Sequence, residues 1–154
     1  MRSREEVIVY DTLRSMGLIV LYEFPLKLPD GRIIYPDFLI LHPGTRTVYV
    51  WEHLGLWYHA EKGAKYQQAF CRKTLDYAAL GFGLGSNLIT SYPTVDGGID
   101  AEKIRKMCKQ IFFTEETGIS KNEGISASQF LTDQKNLDIS MAKNFDSDGW
   151  NDFL

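Results

Sequence analysis

Two short apolar runs carry one carboxylate each, and their pairing constrains the fold more than any other feature of the chain. The first is Tyr35-Pro36-Asp37-Phe38-Leu39-Ile40-Leu41, and the second is Thr47-Val48-Tyr49-Val50-Trp51-Glu52-His53-Leu54-Gly55. Both read as strands, rich in β-branched and aromatic residues. Between them, His42-Pro43-Gly44-Thr45-Arg46 carries the Pro-Gly signal of a tight turn. The simplest folding is an antiparallel hairpin, in which the start of one strand lies beside the end of the next. Asp37 opens the first strand and Glu52 closes the second, so both fall at one end. Two carboxylates brought together inside apolar strands repel each other and resist burial unless a cation joins them. A metal ion shared by Asp37 and Glu52 is the expectation.

The flanking elements follow from local pattern. Ser3 and Glu6 form a capping box, Val9, Leu13 and Met16 recur on one helical face, and Gly17 supplies the stop. A first helix is expected over about residues 3–16. Glu6 is either its cap alone or a third carboxylate facing the pair. Leu18 to Leu28 is apolar and β-rich, with Pro25 marking an edge or an interruption and Pro29-Asp30-Gly31 a turn. Joined to the two carboxylate strands, it gives a meander of three antiparallel strands. From about Trp57 to Leu80 the pattern of Tyr58, Tyr66, Phe70, Leu75, Tyr77 and Leu80 is helical, with Gly63 as a break or kink that would make it two helices. Gly81 to Gly85 is a loop without the Lys-Ser/Thr of a phosphate-binding loop. Asn87 to Ser91 is a fourth strand, parallel to the third because a long helix joins them. Asp100 caps a last helix running to Phe113.

At 154 residues, with 44% hydrophobic and 24% charged residues, one globular domain is expected. Its span is 1–113. Residues 114–154, rich in Ser, Asn, Asp and Gly with isolated aromatics, read as an acidic, weakly ordered tail whose deletion leaves the fold intact. The net charge of −3 is divided unevenly: Lys and Arg lead 14 to 12 through Phe113, and Asp and Glu lead 8 to 3 from Thr114. A phosphate-binding surface must therefore be a local patch. No apolar run reaches the length of a membrane span, and the N-terminus lacks a signal-peptide pattern. Cys71 and Cys108 read as reduced thiols, which with the missing leader points to a cytoplasmic protein. No Cys/His cluster offers a zinc site, and no Ser/His/Asp or Cys/His signature is present.

The order of helix with Glu6, strand, strand with Asp37, strand with Glu52, helix, strand resembles the PD-(D/E)XK nuclease superfamily. The residues that carry the resemblance are Pro36-Asp37 and, after a spacer, Glu52. It is closer to a bacterial and phage branch, on Ser3-x-x-Glu6-Val7-Ile8, Tyr22-Glu23, Pro36-Asp37-Phe38, Trp51-Glu52-His53-Leu54-Gly55, Lys73-x-x-x-Tyr77 and Asn87-Leu88-Ile89-Thr90. It covers about residues 3–112. The resemblance implies a restriction-endonuclease-like αβββαβ core, a mixed sheet flanked by helices, with one additional C-terminal helix. It also implies a Mg²⁺-dependent deoxyribonuclease, with Mn²⁺ as a substitute. Asp37, Glu52, Glu6 and the His53 carbonyl would hold metal. The family pattern places a Lys two residues after the Glu, where this chain has Leu54. Lys73, four residues before Tyr77 on one helical face, is the first substitute; the His53 side chain is the second, although strand alternation points it away from Glu52. Lys62, Lys65 and Arg72 would contact phosphates, and Tyr77 would stack or hydrogen-bond near the nucleic acid.

The alternatives at this point are an inactive nucleic-acid-binding module on the same fold and a protein-interaction domain whose carboxylates are incidental. Partners under these readings are DNA or RNA, a second copy of the chain, or a protein docked on the tail. Taken singly, Asp37 is an ordinary turn residue, Lys73 a solvated helix residue and Tyr77 core. Their joint placement at one end of a hairpin is what sets them apart.

Overall fold

A computed structural model describes residues 3–113 and 124–134. The elements in order are α1 (Arg4–Ser15), β1 (Ile19–Tyr22), β2 (Leu26–Lys27), β3 (Ile33–Ile34), β4 (Phe38–His42), β5 (Thr47–His53), α2 (Gly63–Ala79), β6 (Leu88–Ser91), α3 (Ala101–Phe112), β7 (Ile125–Ser126) and α4 (Ala127–Asp133). The main sheet runs β1-β4-β5-β6, with β7 also paired to β5. Strands β1, β4 and β5 are antiparallel neighbours, and β6 lies parallel to β5. The architecture is α/β, a mixed sheet flanked by helices.

Strand β4 is buried along its whole length because both faces of the sheet are covered, which is why it reads as an unbroken apolar run. On one face, Val9 and Leu13 of α1 and Ile104 and Cys108 of α3 pack on Phe38, Ile40 and Trp51. On the other, Tyr77 of α2 and Phe130 of α4 pack on Leu39, Leu41, Val48 and Val50. Helix α1 begins where Ser3 Oγ accepts the Glu6 N–H at 3.1 Å. It ends at Gly17, whose φ of +86° costs a glycine little. Cys71 and Cys108 are unpaired thiols.

Three expectations are corrected. Leu18 to Leu28 is not one strand. Glu23 adopts φ +48° while its N–H donates to the Asp37 carbonyl at 3.1 Å, and Pro25 has no N–H for a ladder. The chain leaves the sheet there and forms a separate hairpin, β2–β3. Arg32 pins that hairpin to α2, bonding Asp76 at 2.9 Å. Second, helix α2 starts at Gly63 rather than near Trp57. A Cβ at Gly63 would lie 2.9 Å from the Trp57 carbonyl oxygen, so the approach of this loop to the helix requires glycine.

Third, the segment from Thr114 is not uniformly without structure. Strand β7 pairs antiparallel with the start of β5, Thr47 with Ser126 and Val48 with Ile125. Phe130 is buried and meets Phe82 edge-on at 5.7 Å between ring centroids. The Gln134 amide accepts the Lys27 N–H at 2.8 Å and donates to the Lys27 carbonyl at 3.0 Å, closing the free side of β2. The boundary expected at Phe113 therefore does not mark the end of the core. The expectation for the rest of the tail lies outside the described residues.

Candidate active site

The β4–β5 register places Phe38 opposite Trp51. One step further out, Asp37 faces Glu52. Asp37 lies just before β4, after Pro36, and its Oδ2 accepts the backbone N–H of His53 at 2.8 Å. Glu52 follows Val48 and Val50 onto the α2 side of the sheet by strand alternation and is buried. The two side chains are in contact. Burial first, then the charge of Glu52 and a hydrogen bond to it, push the Asp37 carboxyl up to about 8; the His53 N–H and Lys73 oppose the rise. Near neutral pH the pair thus retains a proton where two carboxylates would otherwise repel.

This has a measurable consequence. Asp37 binds its proton more tightly when folded, at about 8, than at its ordinary 3.8. The native state therefore holds more protons than the unfolded state across that window, and stability falls as pH rises through it. In EDTA, melting temperature should decline from pH 5 to pH 8, and the decline should be shallower in Asp37→Asn. Equal slopes for the two proteins would remove Asp37 as the cause.

Helix α2 supplies the surrounding groups from one stripe: Tyr66, Phe70, Lys73 and Tyr77, at spacings of four, three and four. Lys73 Nζ lies 2.6 Å from Glu52 Oε1 and 3.5 Å from the Tyr35 carbonyl oxygen. The Tyr77 hydroxyl donates a short hydrogen bond to the same Glu52 oxygen. Burial and the Glu52 charge raise Tyr77 far above its ordinary range, so it remains a donor. The Tyr66 hydroxyl donates to the His53 carbonyl at 3.4 Å. It is pushed up to about 12 by burial and by the charges of Asp37, Glu52 and Glu6. A cavity of about 170 Å³ is lined by Glu52, Leu54, Tyr66, Ala69, Phe70 and Lys73. Leu54 and Lys73 thus share one small space.

The His53 side chain lies on the other face. Its Nδ1 is 2.8 Å from Ser91 Oγ and its Nε2 is 2.9 Å from Glu5 Oε1, while Trp51 Nε1 donates to the same serine at 2.9 Å. The expectation of a catalytic His53 imidazole is corrected: the ring ties β5 to α1 and β6, and only its backbone faces the carboxylates. Tyr77 as a nucleic-acid contact is corrected too, because it is fully buried. Lys62, Lys65 and Arg72 are exposed along α2, and their side chains have no partner among the described residues.

No family model, curated protein or solved structure matches this chain. Among the described residues, no group of three or more His, Cys, Asp or Glu is arranged to hold a metal ion. The gathered carboxylates are Asp37 and Glu52. Glu6 is buried on α1 and contributes to the field at Tyr66 but stays outside the pair. The donor set at the pair is nevertheless all oxygen, with the His53 carbonyl beside two carboxylates, one of which retains a proton that a cation would displace. That set fits Mg²⁺, which takes few protein ligands and keeps waters. Among the described residues no helix is long and apolar enough to cross a membrane.

Tyr66, Ser91 and Glu5 were not anticipated as site residues. Tyr66 is detectable in principle, seven residues before Lys73 on the same stripe. Ser91 and Glu5 carry no local signal, since their roles depend on the pairing of His53 with Ser91 across the parallel strands and on where α1 docks.

Proposed function

We propose that this chain is a metal-dependent nuclease of the restriction-endonuclease-like type, hydrolysing phosphodiester bonds in DNA. The observation that carries the reading is the convergence of Asp37, Glu52 and Lys73 at one end of the hairpin, with Lys73 Nζ 2.6 Å from Glu52. Asp37, Glu52 and the His53 carbonyl would hold Mg²⁺ or Mn²⁺. When bound, such an ion supplies Lewis-acid polarisation of the phosphoryl oxygen and a more acidic water.

The chain's own groups do the rest. Lys73 places a positive charge where negative charge develops on the phosphate. Leu54 occupies the strand position at which the family has its lysine, and Lys73 enters the same cavity from α2, so the cation is delivered by a helix in place of a strand. Tyr77 fixes the Glu52 carboxylate through its hydrogen bond. Tyr66 holds the His53 carbonyl in place. Lys62, Lys65 and Arg72 offer exposed charge to the nucleic-acid backbone.

The buried Leu54 also favours a second reading, a binding module on the same fold without turnover. One assay separates the two. Supercoiled plasmid and single-stranded circular DNA are incubated with Mg²⁺ or Mn²⁺, alongside EDTA and Asp37→Ala controls. Cleavage that needs the metal and is lost in Asp37→Ala is expected. A folded protein that binds Mn²⁺ and DNA but cleaves neither substrate would leave the binding module.

A further inference from the structure

The loop between β5 and α2 carries a row of aromatic side chains that the hydrolytic site does not use. Trp57 meets Phe70 edge-on at 6.1 Å between centroids, and Phe70 lines the cavity of Glu52 and Lys73. Trp57 in turn meets Tyr92 edge-on at 5.4 Å, and Tyr92 lies 6.5 Å from Tyr58. The row thus leads outward from the carboxylates to the surface. Tyr58 remains 53% exposed and Tyr92 39%. These adjacent tyrosines leave apolar ring surface in water, which a ligand could cover.

The platform is already formed. Gln67 Nε2 donates to the Trp57 carbonyl at 2.9 Å. The Trp57 N–H donates to Leu54 at 3.1 Å, and the Gly63 N–H to His59 at 2.9 Å. Tyr92 directly follows β6, whose Ser91 carbonyl accepts the Leu54 N–H at 2.8 Å. Both ends of the row are therefore fixed to strands that also fix Glu52. Beside it, Lys62, just before α2, and Lys65, in its first turn, are exposed with no side-chain partner among the described residues, while Glu61 adjoins Lys62 and Asp100 lines a cavity with Tyr92.

Partly exposed aromatic rings next to cations match one ligand chemistry, unpaired bases on a phosphate backbone. In a duplex the base faces are covered by their own stack, so this surface discriminates against paired strands. We infer that Tyr58 and Tyr92, backed by Trp57, form a stacking platform for the unpaired bases of a single nucleic-acid strand whose backbone passes to the Glu52–Lys73 end of the hairpin. The inference names the substrate class of the proposed nuclease and rests on that reading for its role, although base binding is measurable without turnover.

The test is fluorescence anisotropy in EDTA with the full chain. Labelled oligodeoxyuridylate, oligouridylate and a duplex of equal length are compared. Single strands should bind more tightly than duplex, and the tighter of the two homopolymers identifies the sugar. Each Tyr→Ala change at 58 or 92 should weaken single-strand binding roughly 5- to 100-fold, the range for loss of one stacked base. Tyr→Phe at both positions should restore it. If the alanine variants melt early, Tyr58→Leu with Tyr92→Leu keeps the bulk without a π face and should still lose the affinity. Unchanged affinity in the leucine variant would overturn the inference. So would a wild-type dimer that these substitutions dissociate, because the occupant would then be a second copy. If nothing is cleaved but the leucine variant loses single-strand binding, the platform stands and the nuclease reading falls. If duplex is cleaved and bound regardless of the tyrosines, the nuclease stands and the platform falls.

Discussion

Ending the chain at Phe113 is expected to lower the melting temperature by roughly 10–20 °C, from a loss of about 4 kcal/mol or more. The cut removes a two-residue ladder from the start of β5, the buried Phe130 and the amide that satisfies both backbone groups of Lys27. Phe130 is the largest part: burying a phenylalanine and leaving its cavity behind costs about 3–5 kcal/mol on substitution by alanine. Phe130→Ala in the full chain should therefore reproduce most of the drop. The Lys27 groups add to it, since backbone N–H and C=O left without partners in a partly buried strand are destabilising. Thermal melts of the two proteins beside the full chain decide the matter. A truncated chain that melts with the full one would show that the segment at 124–134 does not hold the sheet.

Composition hid that segment. Ser126, Ser128, Gln129, Thr132 and Asp133 surround two buried anchors, Ala127 and Phe130, and a short, mostly polar helix shows no helical period strong enough to notice. What fixes it is contact across more than a hundred residues of sequence, such as Gln134 on Lys27, and no local rule reports such contacts. The break at Glu23 is similar. Glu23 still donates to the Asp37 carbonyl, one step past the last β1–β4 pair, but its positive φ turns the chain, and a run that is locally β-rich leaves the sheet before Pro25.

Where the determinants are local, the sequence was legible. Ser3, Glu6 and Gly17 mark the ends of α1 because capping is a matter of a few adjacent atoms. The placing of Asp37 opposite Glu52 follows from two strand periods and one turn. The parallel β6 follows from the length of the connection through α2. The site was legible to the same depth. Lys73 and Tyr77 could be placed on one helical face, but which one meets solvent depends on the packing of α2. Tyr77 went inward as a fixed donor, and Lys73 kept a third of its side chain exposed. His53 was legible only in its direction: alternation sends the ring away from Glu52, and the register with Ser91 explains where it goes.

Under the proposed nuclease activity, Lys73→Ala is expected to reduce turnover by about 10²–10³-fold, the usual cost of removing a preorganised charge from a reacting centre. The fold should survive, because Lys73 is partly exposed and Glu52 keeps the Tyr77 hydroxyl. A second readout is independent of turnover. Lys73 holds the Asp37 carboxyl down against burial and Glu52, so its removal should raise that carboxyl further, visible as a displaced protonation step in difference infrared spectra against Asp37→Asn. The decisive variant exchanges the two positions. Leu54 and Lys73 line the same cavity, so Lys73→Leu alone should lose turnover to the same extent as Lys73→Ala, and adding Leu54→Lys should return part of the activity by presenting an ammonium from β5. Full turnover in Lys73→Ala would reject the role of this lysine. Recovery in the exchanged variant would show that the site needs a cation in that space and that the element supplying it is interchangeable.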